Sequence, residues 1–407
     1  MTRGRVGMDA SAEHEGIGLA VRRARRAKGL KLAQAAGLVG HSESWLSKVE
    51  NGRIPLDKRA DIASLAEVLG VSADTLLGEP VPEIQAGRRA WDLMPLRMVL
   101  LDTSPDDPPD IPARPVPVLR ALNDQADSAL RWSRYDELLP LLPALIGELE
   151  VRAATAAGTG REEALRLLIP ATAMAVITLR YASQPDLAWV AGERGRQAAA
   201  LLGDPVWEAA AAYGMAHARS SANKPRALMV MPQAASRFEH LAGQSRMAAE
   251  VYGMLHLSAA LARAVDGDHA GADDHGAEAA TVAQRLGDEP DAFELFGVSN
   301  VGVWRTSLAV EAGNAERALE YASVVEPRSL ASNNRRGALA MEVGRALAMQ
   351  GKGARAVAAF RRAESLSPAQ VLGNPLLREL VRSMLDEARR KAGGRELRGL
   401  AWRMGLI

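Results

Sequence analysis

An all-α protein built in two parts is what this sequence predicts, and three observations predict it. Apolar residues recur at helical spacing over nearly the whole chain, and Ala is abundant while aromatics make up only 4%, a mix that favours packed helices over sheets. Gly, Asp, Asn and Pro interrupt the pattern roughly every 15–20 residues, the period of a helix array. Basic residues crowd the N-terminal part: residues 17–59 hold ten (Arg22, Arg23, Arg25, Arg26, Lys28, Lys31, Lys48, Arg53, Lys58, Arg59) against three acidic ones (Glu43, Glu50, Asp57), although the chain as a whole carries only +1.

Composition sets outer limits. With 407 residues, 48% of them hydrophobic, there is enough apolar surface for two or three domains. The absence of cysteine excludes disulfides, thiolate metal sites and cysteine nucleophiles. The opening residues lack a signal-peptide core, and no apolar run reaches the roughly 18 residues of a membrane span, so a soluble, cytoplasmic protein is expected.

In chain order, residues 1–15 read as disordered, with Met8 an alternative start. Residues 16–78 read as five short helices. Ile17 to Lys28 is amphipathic, with Val21 and Ala24 inward, and stops at Gly29. Leu32 to Leu38 is the second. Ser42 is a good N-cap for a third running to Val49 or Glu50, followed by the turn signal Asn51-Gly52. The fourth spans Asp57 to Leu69, and Ser72 caps a fifth that ends at Gly78. Residues 79–117 form a connecting segment. A helix begins between Arg88 and Trp91 and is interrupted by Pro95. Residues 102–117 contain six prolines and read as a stiff extended linker, the alternative being an ordered strap on a domain surface.

Residues 118–407 read as about six helix pairs plus a terminal helix at Leu376–Lys391. Gly344, Leu347, Gly351, Ala356, Phe360, Ala363 and Pro368 have the spacing of a tetratricopeptide helix pair. Small residues allow close helix approach, Phe360 fills the gap against the neighbouring pair, and Pro368 stops the second helix. Gly313, Ala318 and Ala322 repeat the pattern, with weaker echoes at Gly267/Ala272/Ala279 and Tyr135/Leu138/Leu142/Leu145. Such arrays are stable by stacking and curl to give a concave face.

The segment LKLAQAAGLVGHSESWLSKVENGR (residues 30–53) resembles the phage-repressor-like, or xenobiotic-response-element, helix-turn-helix family. The resemblance covers residues 16–78 and implies a five-helix lambda-repressor-like domain that binds double-stranded DNA. A recognition helix needs one apolar and one polar side. Leu46 and Val49 face the core, leaving Glu43, Ser44, Ser47 and Lys48 for the major groove. The family's base-reading positions fall on Glu43, Ser44, Trp45 and Lys48, with Trp45 reading either as a cover on the core or as a thymine contact. Helix N-termini at Leu32–Ala33 and Ser42 are expected near the backbone, with Arg53 and Lys58 as further phosphate ligands. Arg22, Arg23 and Arg26 read as a solvated face, the alternative being phosphate clamps. The resemblance also implies a structural pair between Glu50 and Arg25. The chain departs from the family near the second helix start: Leu32 holds the place of a frequent Gln, and Gln34 sits two residues on.

A second resemblance is to regulators of GC-rich Gram-positive bacteria that append a tetratricopeptide-like α-solenoid to this head. It rests on residues 296–322, 338–364 and 374–390. Peptide-quorum receptors of other Gram-positive bacteria share the architecture, which implies a homodimer with a peptide or small-molecule ligand in the concave face. Inward positions at helical spacing are Asn300, Val303, Ser307, Val310 and Glu311, then Ala338, Met341, Arg345, Ala348 and Met349. Asn300 offers a donor and an acceptor to a peptide backbone, or is a satisfied packing residue. Arg345 offers a carboxylate fork, or forms an intramolecular ion pair.

Asp268, His269, Asp273, Asp274 and His275 cluster, but at a turn where Asp and Gly cap helices, so no metal or other cofactor is expected. GxxxxGKS/T, GxSxG and HExxH are absent, and no enzyme is expected. The leading expectation is a ligand-responsive transcription regulator. The alternative is a protein-interaction adaptor whose head dimerises or tethers weakly to DNA.

Overall fold

The computed structural model of the chain describes residues 16–77, 91–218, 224–391 and 394–407. The expectations for residues 1–15, Met8, Gly78 and Arg88 fall outside them. The fold is all-α, with no strand among the described residues.

The head consists of α1 (Ile17–Ala27), α2 (Leu32–Leu38), α3 (Glu43–Glu50), α4 (Arg59–Leu69) and α5 (Ala73–Leu77). Its core is the apolar stripe read from sequence: Val21, Leu46, Val49, Leu56, Leu65 and Leu76 are buried together. Gly18 lets α1 cross α3 closely, since a Cβ there would stand 2.1 Å from the Val49 carbonyl oxygen. Ser42 caps α3 by accepting from the Trp45 N–H at 3.2 Å, and Ser72 caps α5 through Thr75 N–H at 3.0 Å. The fourth helix starts at Arg59, not Asp57, and the cause is long-range. The first N–H of α4 is taken by Glu311 Oε2 at 2.9 Å, while the Asp57 carbonyl accepts from Arg345 at 2.8 Å.

Pro95 does not interrupt a helix. It lies in the first turn of α6 (Met94–Asp102), where no N–H is needed. The proline-rich stretch that follows is the ordered strap and not a free linker. Arg114 grips Glu148 through its backbone N–H (2.9 Å) and guanidinium (2.8 Å), Arg152 bonds the carbonyls of Ala113 and Arg114, and Pro109 and Ile111 cover Gly147. Prolines leave their carbonyls free, so a long extended segment is held by side chains reaching out from the helix beneath.

That helix belongs to the first of six consecutive pairs: α7 (Val116–Arg131) with α8 (Tyr135–Thr155), α9 (Thr159–Tyr181) with α10 (Pro185–Leu202), α11 (Pro205–Ala218) with α12 (Lys224–Arg237), α13 (Arg246–Asp266) with α14 (His269–Leu286), α15 (Val298–Glu311) with α16 (Ala315–Ser323), and α17 (Asn333–Met349) with α18 (Gly353–Leu366). Phe360 closes its own pair, since a Cβ on Gly344 would meet its ring at 2.3 Å, and it shares a core with Leu377 and Val381 from the C-terminal helix at Pro375–Lys391. The end is longer than a single terminal helix. After α19 (Pro368–Leu372) and α20 (Pro375–Lys391), α21 (Arg395–Arg403) folds back and buries Leu397, Leu400 and Ala401. α20 also reaches the head, placing Leu376 in the head's core. Among the described residues one helix, α9, is long and apolar enough by composition to cross a membrane, and two thirds of that stretch is buried inside the array.

Candidate DNA-reading face and ligand cavity

α3 is fixed from its inner side. Arg25 forks onto buried Glu50 with Nε–Oε1 at 2.5 Å and Nη2–Oε2 at 2.8 Å, and also donates to the Leu30 carbonyl at 2.8 Å. The Glu50 hydrogen bond raises the arginine's pKa, outweighing its own desolvation. The pair ties α1 to the end of α3 and to the loop before α2. Arg22 adds a bond to Asn51, whose amide donates to the Ser47 carbonyl at 2.7 Å.

The outer side of α3 leaves Ser42, Glu43, Ser44 and Lys48 exposed, with Arg53 exposed just beyond and Ser47 half-buried. Trp45 is half-buried against the head core and stacks on His41 at 3.7 Å, whose Nε2 lies 3.1 Å from Asp61. Ala33 and Gln34 are exposed and Leu32 half-buried, so the start of α2 lies at the surface beside α3. Gln34 folds back, accepting from Lys31 N–H at 3.0 Å, which leaves its amide donor for another partner. Lys58 turns toward the array: a Cβ on Gly313 would lie 2.7 Å from its ammonium nitrogen.

A cavity of about 2880 Å³ fills the concave side of the array. Each first helix of the six pairs contributes to its wall (Asp127 on α7, Arg180 on α9, His217 on α11, Ser258 on α13, Trp304 on α15 and Arg335 on α17), together with residues 290–295 and the α19–α20 segment. α1, α4 and α5 of the head close its mouth, and no residue of α2 or α3 lines it. The reading face and the cavity therefore lie on different sides of the head.

Two groups of expected ligand residues fare differently. Ser307 and Met341 line the cavity, as do Val303 and Ala338, whereas Val310, Ala348 and Met349 do not. Asn300 is buried and donates to the Glu294 carbonyl at 3.0 Å, while its Oδ1 has no partner among the described residues. Glu311 and Arg345, 1% and 3% exposed, are bonded to each other at 3.0 Å and form no ligand fork. Arg345 also holds Glu342 at 2.9 Å, and Glu311 takes Arg59 Nη1 at 2.5 Å. Burial would raise the Glu311 pKa, but Arg59 and Arg345 outweigh it and hold the carboxyl below its ordinary value. Burial opposes the Arg345 cation, and Glu342, Glu311 and Asp57 more than restore it. The outcome is a clasp in which a repeat-array carboxylate caps a head helix.

The acidic turn at residues 266–276 is dispersed by its helix. Asp268 caps α14 through Gly271 N–H at 2.9 Å, Asp273 pairs with Arg317 at 2.7 Å, and His275 faces His256 at 3.1 Å. Burial, reinforced by the partner ring, pushes His256 down to about 4.

Sequence reasoning missed most of the polar cavity wall. Arg180 donates to His217 Nδ1 at 3.2 Å; it is open to the cavity, yet enclosing protein, aided by the Arg59 cation, lowers its pKa. His217 is held well below the ordinary imidazole value by burial and then by Arg180 and Arg335. Tyr213 meets the His217 ring edge-on at 4.6 Å, and Arg335 lies 5.8 Å from the Trp304 ring and 3.9 Å from Glu294. Residues 205–218, rich in alanine, show no pattern that distinguishes the inward side.

Residues 17–77 match the family described as helix-turn-helix domain. No curated protein matches the chain. A solved structure of Bacillus thuringiensis PlcR in complex with the peptide PapR7 and DNA is similar at 13% identity and a TM-score of 0.31, over 86% of this chain and 99% of that one. A likeness that loose carries no argument about this chain's partners, and the domain match is the finding that bears on the head.

Proposed function

We propose that the protein is a sequence-specific DNA-binding transcription regulator, cytoplasmic and dimeric, whose helical repeat array senses a peptide or small-molecule ligand. The observation that carries the DNA reading is α3: clamped to the core by Arg25–Glu50, it presents Glu43, Ser44, Ser47 and Lys48 outward within a segment that matches the helix-turn-helix domain. In this reading Ser42, Leu32 and Ala33 bring helix N-termini to the phosphates, Arg53 adds a phosphate contact, and Gln34 supplies its amide donor. Trp45 stays as cover, and Lys58 belongs to the seam with the array. Residues 16–78 act as the DNA-binding unit and 118–407 as the sensor and dimerisation unit, with Ser307 and Met341 among the ligand contacts. Two heads on a dimer would engage half-sites about one helical turn apart. The subgroup of regulators from GC-rich Gram-positive bacteria fits this domain order.

The test is binding of the full chain to fragments of its own promoter region. Lys48→Glu combined with Arg53→Glu is expected to weaken binding at least 100-fold at low salt, since each reversal replaces an attraction to phosphate with a repulsion. Unchanged affinity would overturn the assignment.

A further inference from the structure

The donors around Arg180 are arranged as if for an acceptor that the described residues do not supply. Arg180 has no carboxylate partner among the described residues, and its bond to His217 is to a neutral ring. Because His217 Nδ1 accepts that bond, its proton resides on Nε2, which is buried with no partner. Trp304, 8% exposed, likewise leaves its Nε1–H buried and unpartnered, with ring centroids 6.4 Å from His217. The Ser258 hydroxyl, on the same cavity wall, is a third such group. Native proteins pair buried polar groups almost without exception, so several orphans on one wall call for a ligand.

We propose that Arg180, His217 and Trp304 form the anchoring site for a carboxylate on the cavity wall. An arginine fork takes a carboxylate through two hydrogen bonds, and two neutral N–H groups add to it without adding charge. A monoanion fits better than a phosphate dianion, because Glu294 stands beside Arg335 in the same wall and already engages that second cation. Met174, Ile177, Leu261 and Val303 line the same cavity and suit an apolar body behind the charged end. The carboxylate is either that of a free organic acid or the C-terminus of a short peptide. This inference deepens the sensor reading and rests on it only for the consequence at the DNA.

Two measurements on the full chain test it. In the unliganded protein, Arg180→Met removes a cation that no acid balances, so Tm is expected to rise by about 2–4 °C; a fall would make Arg180 a structural residue and overturn the site. Thermal shift is then read with octanoate against octanamide, and with an apolar hexapeptide as free acid against its amide. Stabilisation by either acid over its amide, lost in Arg180→Met, supports the site, and the acid that acts names the source. Acid and amide acting alike, or neither acting, overturns it. Binding that leaves operator affinity unchanged would sink the sensor reading while the carboxylate site stands.

Discussion

Glu311 caps a head helix from the far side of a sequence separation of 252 residues, so severing that contact is expected to loosen α4 specifically. The perturbation is Glu311→Gln, alone and combined with Arg59→Met. Glu311 is fully buried while the Arg59 side chain is 34% exposed, so solvent screens part of the attraction. A charged hydrogen bond is worth about 1.5–3 kcal/mol when buried; discounted for that exposure, the Arg59–Glu311 coupling comes to about 1–2 kcal/mol. The single Glu311→Gln variant loses more, about 2–4 kcal/mol, because it also weakens the hold on buried Arg345, which keeps Glu342 and the Asp57 carbonyl. Hydrogen exchange of the α4 amides reads both quantities. A coupling of 1–2 kcal/mol is a roughly 5–30-fold departure from multiplicative rates across the double-mutant cycle. If the single-variant accelerations simply multiply in the double variant, or if α4 exchanges as fast in the wild type, the clasp does not hold the head to the array and the argument fails.

Other predictions concern a buried acid and a close crossing. Glu150, with no exposed surface, is pushed up to about 7, chiefly by burial. The Thr103 hydroxyl lies 2.6 Å from both Glu150 Oε2 and the Val99 carbonyl; donation to the carboxylate favours its charged form, but burial outweighs it. Because the folded pKa lies above the ordinary 4.5, this group favours folding fully at low pH and loses that contribution as pH rises to about 7, a cost of about 3 kcal/mol beyond it. Glu150→Gln, a permanent mimic of the protonated acid, is expected to raise the urea midpoint at pH 8 and flatten its slope between pH 5 and 8; an unaltered slope would contradict the assignment. Gly18→Ala forces a methyl against the Val49 carbonyl, a backbone group with no rotamer to yield, and is expected to cost about 1–3 kcal/mol in thermal melts and to lower DNA affinity with it. An unchanged Tm would refute the close crossing of α1 over α3.

Local chemistry explains which parts of the molecule were legible. The Ser42 cap, the Leu46/Val49 stripe and the Gly344/Phe360 spacing act over a few residues or within one helix pair, and each appears where its pattern places it. The start of α4 is not legible in the local sequence because its cap comes from Glu311, which no local pattern reveals. Arg345 and Glu311 share helical spacing with cavity positions, but they lie at the C-terminal ends of α15 and α17, where the head covers them. The strap escaped because prolines signal the loss of regular structure, while what holds the segment, Arg114 on Glu148 and Arg152 on two carbonyls, is tertiary. The donors at Arg180, His217 and Trp304 come from three helix pairs, so only the superhelix brings them together.

The central claim is that α3 enters the major groove with Glu43 and its outward neighbours against the bases. Selection of bound sequences from a random duplex pool, run with the wild type and with Glu43→Ala, tests it most directly. The account predicts altered base preference at one position of each half-site with the rest unchanged, because a single base-edge contact discriminates by about 1–3 kcal/mol. Identical preferences in the two selections, or no enrichment by the wild type, would contradict it.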